Sequence, residues 1–183
     1  MTEPKNTEPF SMKKEVMDWI ETLVWAVVAV VLTFTFIART SIVSGISMEP
    51  TLQGGDQLLI THLGYTPQKG DIVVLAPPGF DDHPLVKRVI ATEGQKVDID
   101  FQAGVVYVDG VALEEPYINE PTYTPEGVEF PQTVPAGCIF VMGDNRNASK
   151  DSRDPEVGMV DRRYVLGKQI IRYMPFDKLG MVN

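Results

Sequence analysis

Three polar stretches carry residue types that can do chemistry. The first is Ser44-Gly45-Ile46-Ser47-Met48-Glu49-Pro50-Thr51-Leu52. A serine hydroxyl becomes a nucleophile when a base removes its proton, although serine among Gly and Pro is equally an ordinary turn former. The second is Leu85-Val86-Lys87-Arg88-Val89-Ile90-Ala91. In a strand, Lys87 shares a face with Leu85 and Val89, while Arg88 shares one with Val86 and Ile90. Neither face looks solvated. Two adjacent cations here mean an edge strand with snorkelling side chains, or one cation buried for a purpose and the other paired. The third is Gly143-Asp144-Asn145-Arg146-Asn147-Ala148-Ser149-Lys150-Asp151-Ser152-Arg153. It directly follows the apolar run 138–142. It is a solvated turn or a loop whose polar groups orient a base.

A serine nucleophile needs that base. The chain has 2 histidines, His62 and His83, and neither stands in a Ser/His/Asp setting. Lysine can serve when neutral. A free lysine has a pKa of about 10.4, so a pKa of about 7–8 requires a shift worth roughly 4 kcal/mol. Desolvation supplies shifts of that size, and the apolar neighbours of Lys87 provide it. Cys138, the single cysteine, lies in an apolar run and reads as a buried core thiol with no base beside it. No metal-ligand cluster is visible, and no cofactor is expected.

These stretches must be positioned by a domain of modest size. The chain has 183 residues, 44% of them apolar, and 15 Gly and 14 Pro scattered among them. That is enough for one domain and an anchor. A net charge of −9 opposes nucleic-acid binding. Residues 22–38 carry no charge, and the span 19–38 has one, Glu21. Twenty helical residues cover about 30 Å, the thickness of a bilayer core. A buried core helix is the alternative, but a domain this small cannot surround one. A cleavable signal peptide is another, yet Phe36 stands where a small residue is needed, so the segment is expected to be retained. Lys5, Lys13 and Lys14 precede it and only Arg39 closely follows. The positive-inside rule then keeps 1–18 in the cytoplasm and puts 39–183 outside. Residues 1–12 read as a disordered polar tail.

After the span, short runs rich in Val, Ile and Leu predict strands over 56–62, 70–76, 85–91, 96–100, 105–108, 137–142 and 165–174. Asp109-Gly110 predicts a type I′ hairpin. No helical pattern separates successive strands, which argues against a parallel α/β sheet. The fold class is mainly β: a single transmembrane helix, then an antiparallel or mixed β domain with long loops. Four prolines make 114–135 an extended surface excursion. The apolar loop Leu75-Ala76-Pro77-Pro78-Gly79-Phe80 is expected to help dock the domain on the bilayer.

Together, in this order after one N-terminal span, the three stretches resemble those of bacterial type I signal peptidases. The resemblance covers nearly the whole chain beyond the anchor, with smaller echoes at Gly70-Asp71-Ile72-Val73, Val106-Tyr107-Val108-Asp109-Gly110 and Glu115-Pro116-Tyr117-Ile118. It implies Ser47 as nucleophile and Lys87 as general base. It implies that Ser149 orients Lys87, that Asp144 pairs with Arg88, and that Asp151 and Arg153 brace the loop. Gly45 lies in the oxyanion region where some members carry Ser, which leaves the second oxyanion donor unnamed. Ala91-Thr92-Glu93-Gly94 and Asn147-Ala148 also depart from the usual pattern. The implied activity is endoproteolysis of signal-peptide-bearing preproteins after small residues, at the outer face of the bacterial cytoplasmic membrane. The implied partners are those preproteins and the lipid bilayer, with proximity to the export translocon. Two rivals are a self-cleaving serine–lysine repressor, opposed by the apolar span and the acidic charge, and a membrane-tethered binding module that has lost activity.

Overall fold

The computed structural model describes residues 12–36, 38–61, 63–80 and 83–182. Most of the N-terminal tail and His62 lie outside them. The chain divides into two compact units at Ile37/Ala38.

The first unit contains one helix, α1, Met12–Phe36. It is long and apolar enough to cross a membrane. Its described side chains are exposed, so the alternative of a buried core helix fails. Two boundaries differ from expectation. The helix starts at Met12, inside the expected polar tail, because helical backbone bonding continues through charged residues as readily as apolar ones. It also ends before Ala38, which opens a strand instead.

Every strand pairing described in the second unit is antiparallel. Its strands are β1 (Ala38–Ile42), β2 (Gln57–Thr61), β3 (Ile72–Leu75), β4 (Leu85–Thr92), β5 (Lys96–Asp100), β6 (Val105–Val108), β7 (Val111–Ala112), β8 (Gln132–Thr133), β9 (Cys138–Met142), β10 (Val160–Asp161) and β11 (Val165–Met174). Seven form one sheet in the order β1-β2-β11-β3-β4-β9-β10, and four form another, β7-β6-β5-β8. Every predicted strand is present: β2, β3 and β9 begin one or two residues later than expected, β3 ends one earlier, β4 runs one further to Thr92, and the expected end at 62 lies outside the described residues. The strands β1, β8 and β10 went unread because they are short or polar. Asp109 and Gly110 have φ of 53° and 78° and join β6 to β7, as a type I′ turn requires.

The order of the larger sheet matters most for the site. The last strand, β11, inserts between β2 and β3. β4 lies between β3 and β9, with Lys87 in register with Val73 and Arg88 with Ile72. It is therefore a central strand, buried on both faces, and the edge-strand reading of its two cations fails. Val86 packs with Met48, Leu52, Leu58, Ile60, Ile72 and Val74. Val89 packs on the other side with Val73, Leu75, Ile139 and Val141. Beyond them, Ile90 and Phe140 join Val97, Ile99, Val106 and Val108 of the smaller sheet.

Two smaller expectations need correction. Cys138 is half-buried rather than buried, because it opens β9 at the border of the core. The loop 75–80 turns its apolar groups inward: Leu75 is fully buried and Phe80 packs against the core, leaving only Pro78 and Gly79 exposed. It presents little apolar surface to a bilayer. The excursion 114–135 is extended as expected, with only β8 regular in it.

Candidate active site

Lys87 and Ser47 meet although 40 residues separate them: Lys87 Nζ is 2.6 Å from Ser47 Oγ. Lys87 is 2% exposed and Ser47 is half-exposed. The hydroxyl thus stands at the border of solvent with an amine buried behind it. Burial lowers the Lys87 pKa to about 8; the carboxylate of Asp151 opposes that shift and the Arg153 guanidinium adds to it. A fraction of the amine is then neutral near pH 7.

The turn carrying Ser47 is fixed from both sides. Met48 is 1% exposed and plugs the core directly after the serine. Its carbonyl accepts from Leu52 N–H at 2.9 Å, and Ile46 C=O accepts from Glu49 N–H at 3.1 Å. Across the turn, Asn145 N–H donates to Ser47 C=O at 3.0 Å, and the Asn145 amide Nδ2 donates to Ile46 C=O at 3.1 Å. The Ser47 N–H has no hydrogen-bond partner among the described residues. Gly45 has φ +79°, a left-handed conformation that glycine adopts without strain.

The loop after β9 supplies the remaining groups. Arg88 Nε and Nη2 grip Asp144 at 2.8 and 2.7 Å, and its Nη1 donates to Gly70 C=O. Thr51 Oγ1 donates to the same Asp144 at 2.5 Å, tying the serine turn to the pair. The Arg88 guanidinium also stacks 3.9 Å from the centre of the Tyr117 ring. Asp151, fully buried, accepts from Gly143 N–H at 2.9 Å, Ser149 Oγ at 2.8 Å, and Arg153 Nε and Nη2 at 2.9 Å each. The Ser149 hydroxyl thus donates to Asp151, and no bond from it to Lys87 is present among the described residues.

Three groups that hold the site together received no role in the sequence reading. Asn145 clamps the serine turn. A Cβ on Gly143 would run into Ser149 Oγ and the Ser47 carbonyl, so this glycine is needed for close approach. Arg146, fully buried, donates to Gly143 C=O, to Thr122 Oγ1 and to both oxygens of Glu115. The density of polar residues around Asn145 was the available signal; their partners lie too far along the chain to be inferred. His83 is exposed. Among the described residues no cluster could hold a metal ion.

The family described as "Signal peptidase, peptidase S26" matches residues 16–174. The chain belongs to this family. It is 38% identical over 172 residues to the probable signal peptidase I-1 of Synechocystis, covering 88% of this chain and 83% of that one. It is 33% identical over 185 residues to signal peptidase IB of Staphylococcus aureus, covering 91% and 94% respectively. A crystal structure of a signal peptidase I from Enterococcus faecalis is 33% identical, with a TM-score of 0.46, over 57% of this chain and 97% of that one. The match to the signal peptidase family contains all three polar stretches and most of α1.

Proposed function

We propose that the chain is a membrane-bound serine endopeptidase that removes N-terminal signal peptides from exported preproteins after small residues. The single observation that carries this reading is the 2.6 Å contact between half-exposed Ser47 Oγ and the buried Lys87 amine. Neutral Lys87 takes the Ser47 proton as Oγ attacks the scissile carbonyl. The Ser47 N–H is the available oxyanion donor. The lysine then protonates the leaving amine, and a water that it activates releases the acyl-enzyme. Ser149 acts through Asp151, which it shares with Gly143 and Arg153, and so holds the loop beside the base. The helix α1 anchors the chain with 1–18 in the cytoplasm and 39–183 outside, where the bilayer and the export translocon present the preprotein.

Cleavage of a model preprotein in detergent tests the mechanism. Ser47→Ala and Lys87→Ala should each lose at least about 10³-fold in kcat. Retained cleavage in Ser47→Ala would exclude this nucleophile. An inactive wild type would favour the binding-module reading.

A further inference from the structure

The proposed mechanism asks one backbone group, the Ser47 N–H, to meet the oxyanion. That group belongs to the Ile46–Ser47 peptide, which is trans and planar. Its N–H and C=O therefore point in opposite directions, and fixing one fixes the other. Side-chain packing does little to hold this peptide. Before it, Gly45 has φ +79° and no side chain, and nothing lies within 4 Å of where a Cβ would be. The Ile46 side chain is 54% exposed, and burial begins only at Met48. The orientation of the peptide is left to hydrogen bonds on the Ile46 carbonyl.

That carbonyl accepts two. Glu49 N–H reaches it from within the turn at 3.1 Å, and Asn145 Nδ2 reaches it from the loop after β9 at 3.1 Å. The first bond moves with the turn. The second ties the peptide to something outside it. Asn145 is itself well fixed, being buried. Its own N–H donates to Ser47 C=O at 3.0 Å, so one residue holds the carbonyls of both peptides that flank the Ser47 Cα. On one side of it, Asp144 is bonded to Arg88 and Thr51. On the other, fully buried Arg146 is bonded to Glu115 and Thr122. A bond accepted at a carbonyl also polarises its peptide and makes the N–H a stronger donor.

We propose that the Asn145 side chain is a positioning residue: by holding the Ile46 carbonyl it aims the Ser47 N–H at the oxygen that becomes negative. When Ser47 Oγ attacks, its proton passes to Lys87 Nζ and the Oγ–carbon bond forms. The carbonyl electron pair moves to oxygen, which the Ser47 N–H then meets. Asn145 exchanges no proton and keeps its bonds throughout. This inference rests on Ser47 being the nucleophile.

The test uses the full chain in detergent and compares wild type, Asn145→Ala and Asn145→Asp. Both variants retain the backbone N–H that bonds Ser47 C=O. Asn145→Asp also keeps the shape of the side chain, but its carboxylate has no N–H to give. On the high-pH plateau, kcat should fall about tenfold in each, with KM within about twofold of wild type. Removing an oxyanion donor outright costs roughly 10²–10³-fold; here the donor stays but is no longer aimed. The acid limb of the Asn145→Ala profile should not move, since Lys87 is untouched. The pair Ile-Ser occurs once in the chain, at Ile46-Ser47. Isotope labelling of isoleucine carbonyls and serine nitrogens therefore isolates the NMR signal of this peptide alone, and needs no turnover. Its carbonyl-carbon shift should move upfield in both variants as the carbonyl loses a bond. An unmoved signal, full kcat in Asn145→Asp, or a rise in KM with kcat unchanged would each overturn the proposal. Cleavage retained in Ser47→Ala would instead remove the nucleophile reading and this inference with it.

Discussion

At the residue scale, the dominant fact is a lysine held where water is scarce. Its folded pKa of about 8 lies below its ordinary 10.5. Cleavage should therefore rise with pH through about 8 as the amine loses its proton. A pH–rate profile checks this, and a limb lying well above pH 9 would contradict it. The same burial costs stability. Between pH 8 and 10.5 the unfolded chain binds more protons at this residue than the folded one, so folding stability rises with pH across that window. Below it the penalty is complete, about 3 kcal/mol. Lys87→Met should then be inactive yet more stable than wild type at pH 7, with the gap closing toward pH 10.5. Urea unfolding at a series of pH values measures this.

At the element scale, the site is the meeting of a turn, a central strand and a loop. β4 was recognisable in the sequence as a strand with misplaced cations. Its central position was not, because that depends on β3 and β9 arriving from distant parts of the chain. The Arg88–Asp144 pair followed from resemblance, and the structure adds Thr51 and Tyr117 to it. The polar density around Asn145 was visible, but the partners of the Asn145 clamp and the tight approach at Gly143 were not. Both depend on where the Ser47 turn lies against the loop, and one-dimensional spacing says nothing of that. Gly143→Ala forces a Cβ against Ser149 and the Ser47 carbonyl. It should lower kcat about 10²-fold, since a displacement near 1 Å between reacting groups has that effect. A lower melting temperature should accompany it. Unchanged kcat with unchanged melting would show that the loop can move aside.

At the scale of the whole molecule, the chain joins one exposed apolar helix to a β unit that holds all of the polar stretches. Under the proposed topology, protease added outside intact spheroplasts should digest residues 39–183. Protection of that unit until the membrane is broken would reverse the orientation. A chain beginning at Ala38 contains every residue of the Ser47–Lys87 contact and its supports. It should hydrolyse a short soluble peptide but lose to the full chain on membrane-inserted preprotein.

What the sequence determined by itself was local or chemical. Apolar length foretold α1, alternation with turn residues foretold most strands, and the proton requirement turned an odd lysine into a plausible base. The three ordered stretches carried the family. The tertiary structure alone decided the insertion of β11, the double-sided burial of β4, and the attachment of Ser149 to Asp151. Each of these is a relation between residues far apart in the chain. Such relations are set by sheet order and core packing, which many sequences share and no single spacing encodes.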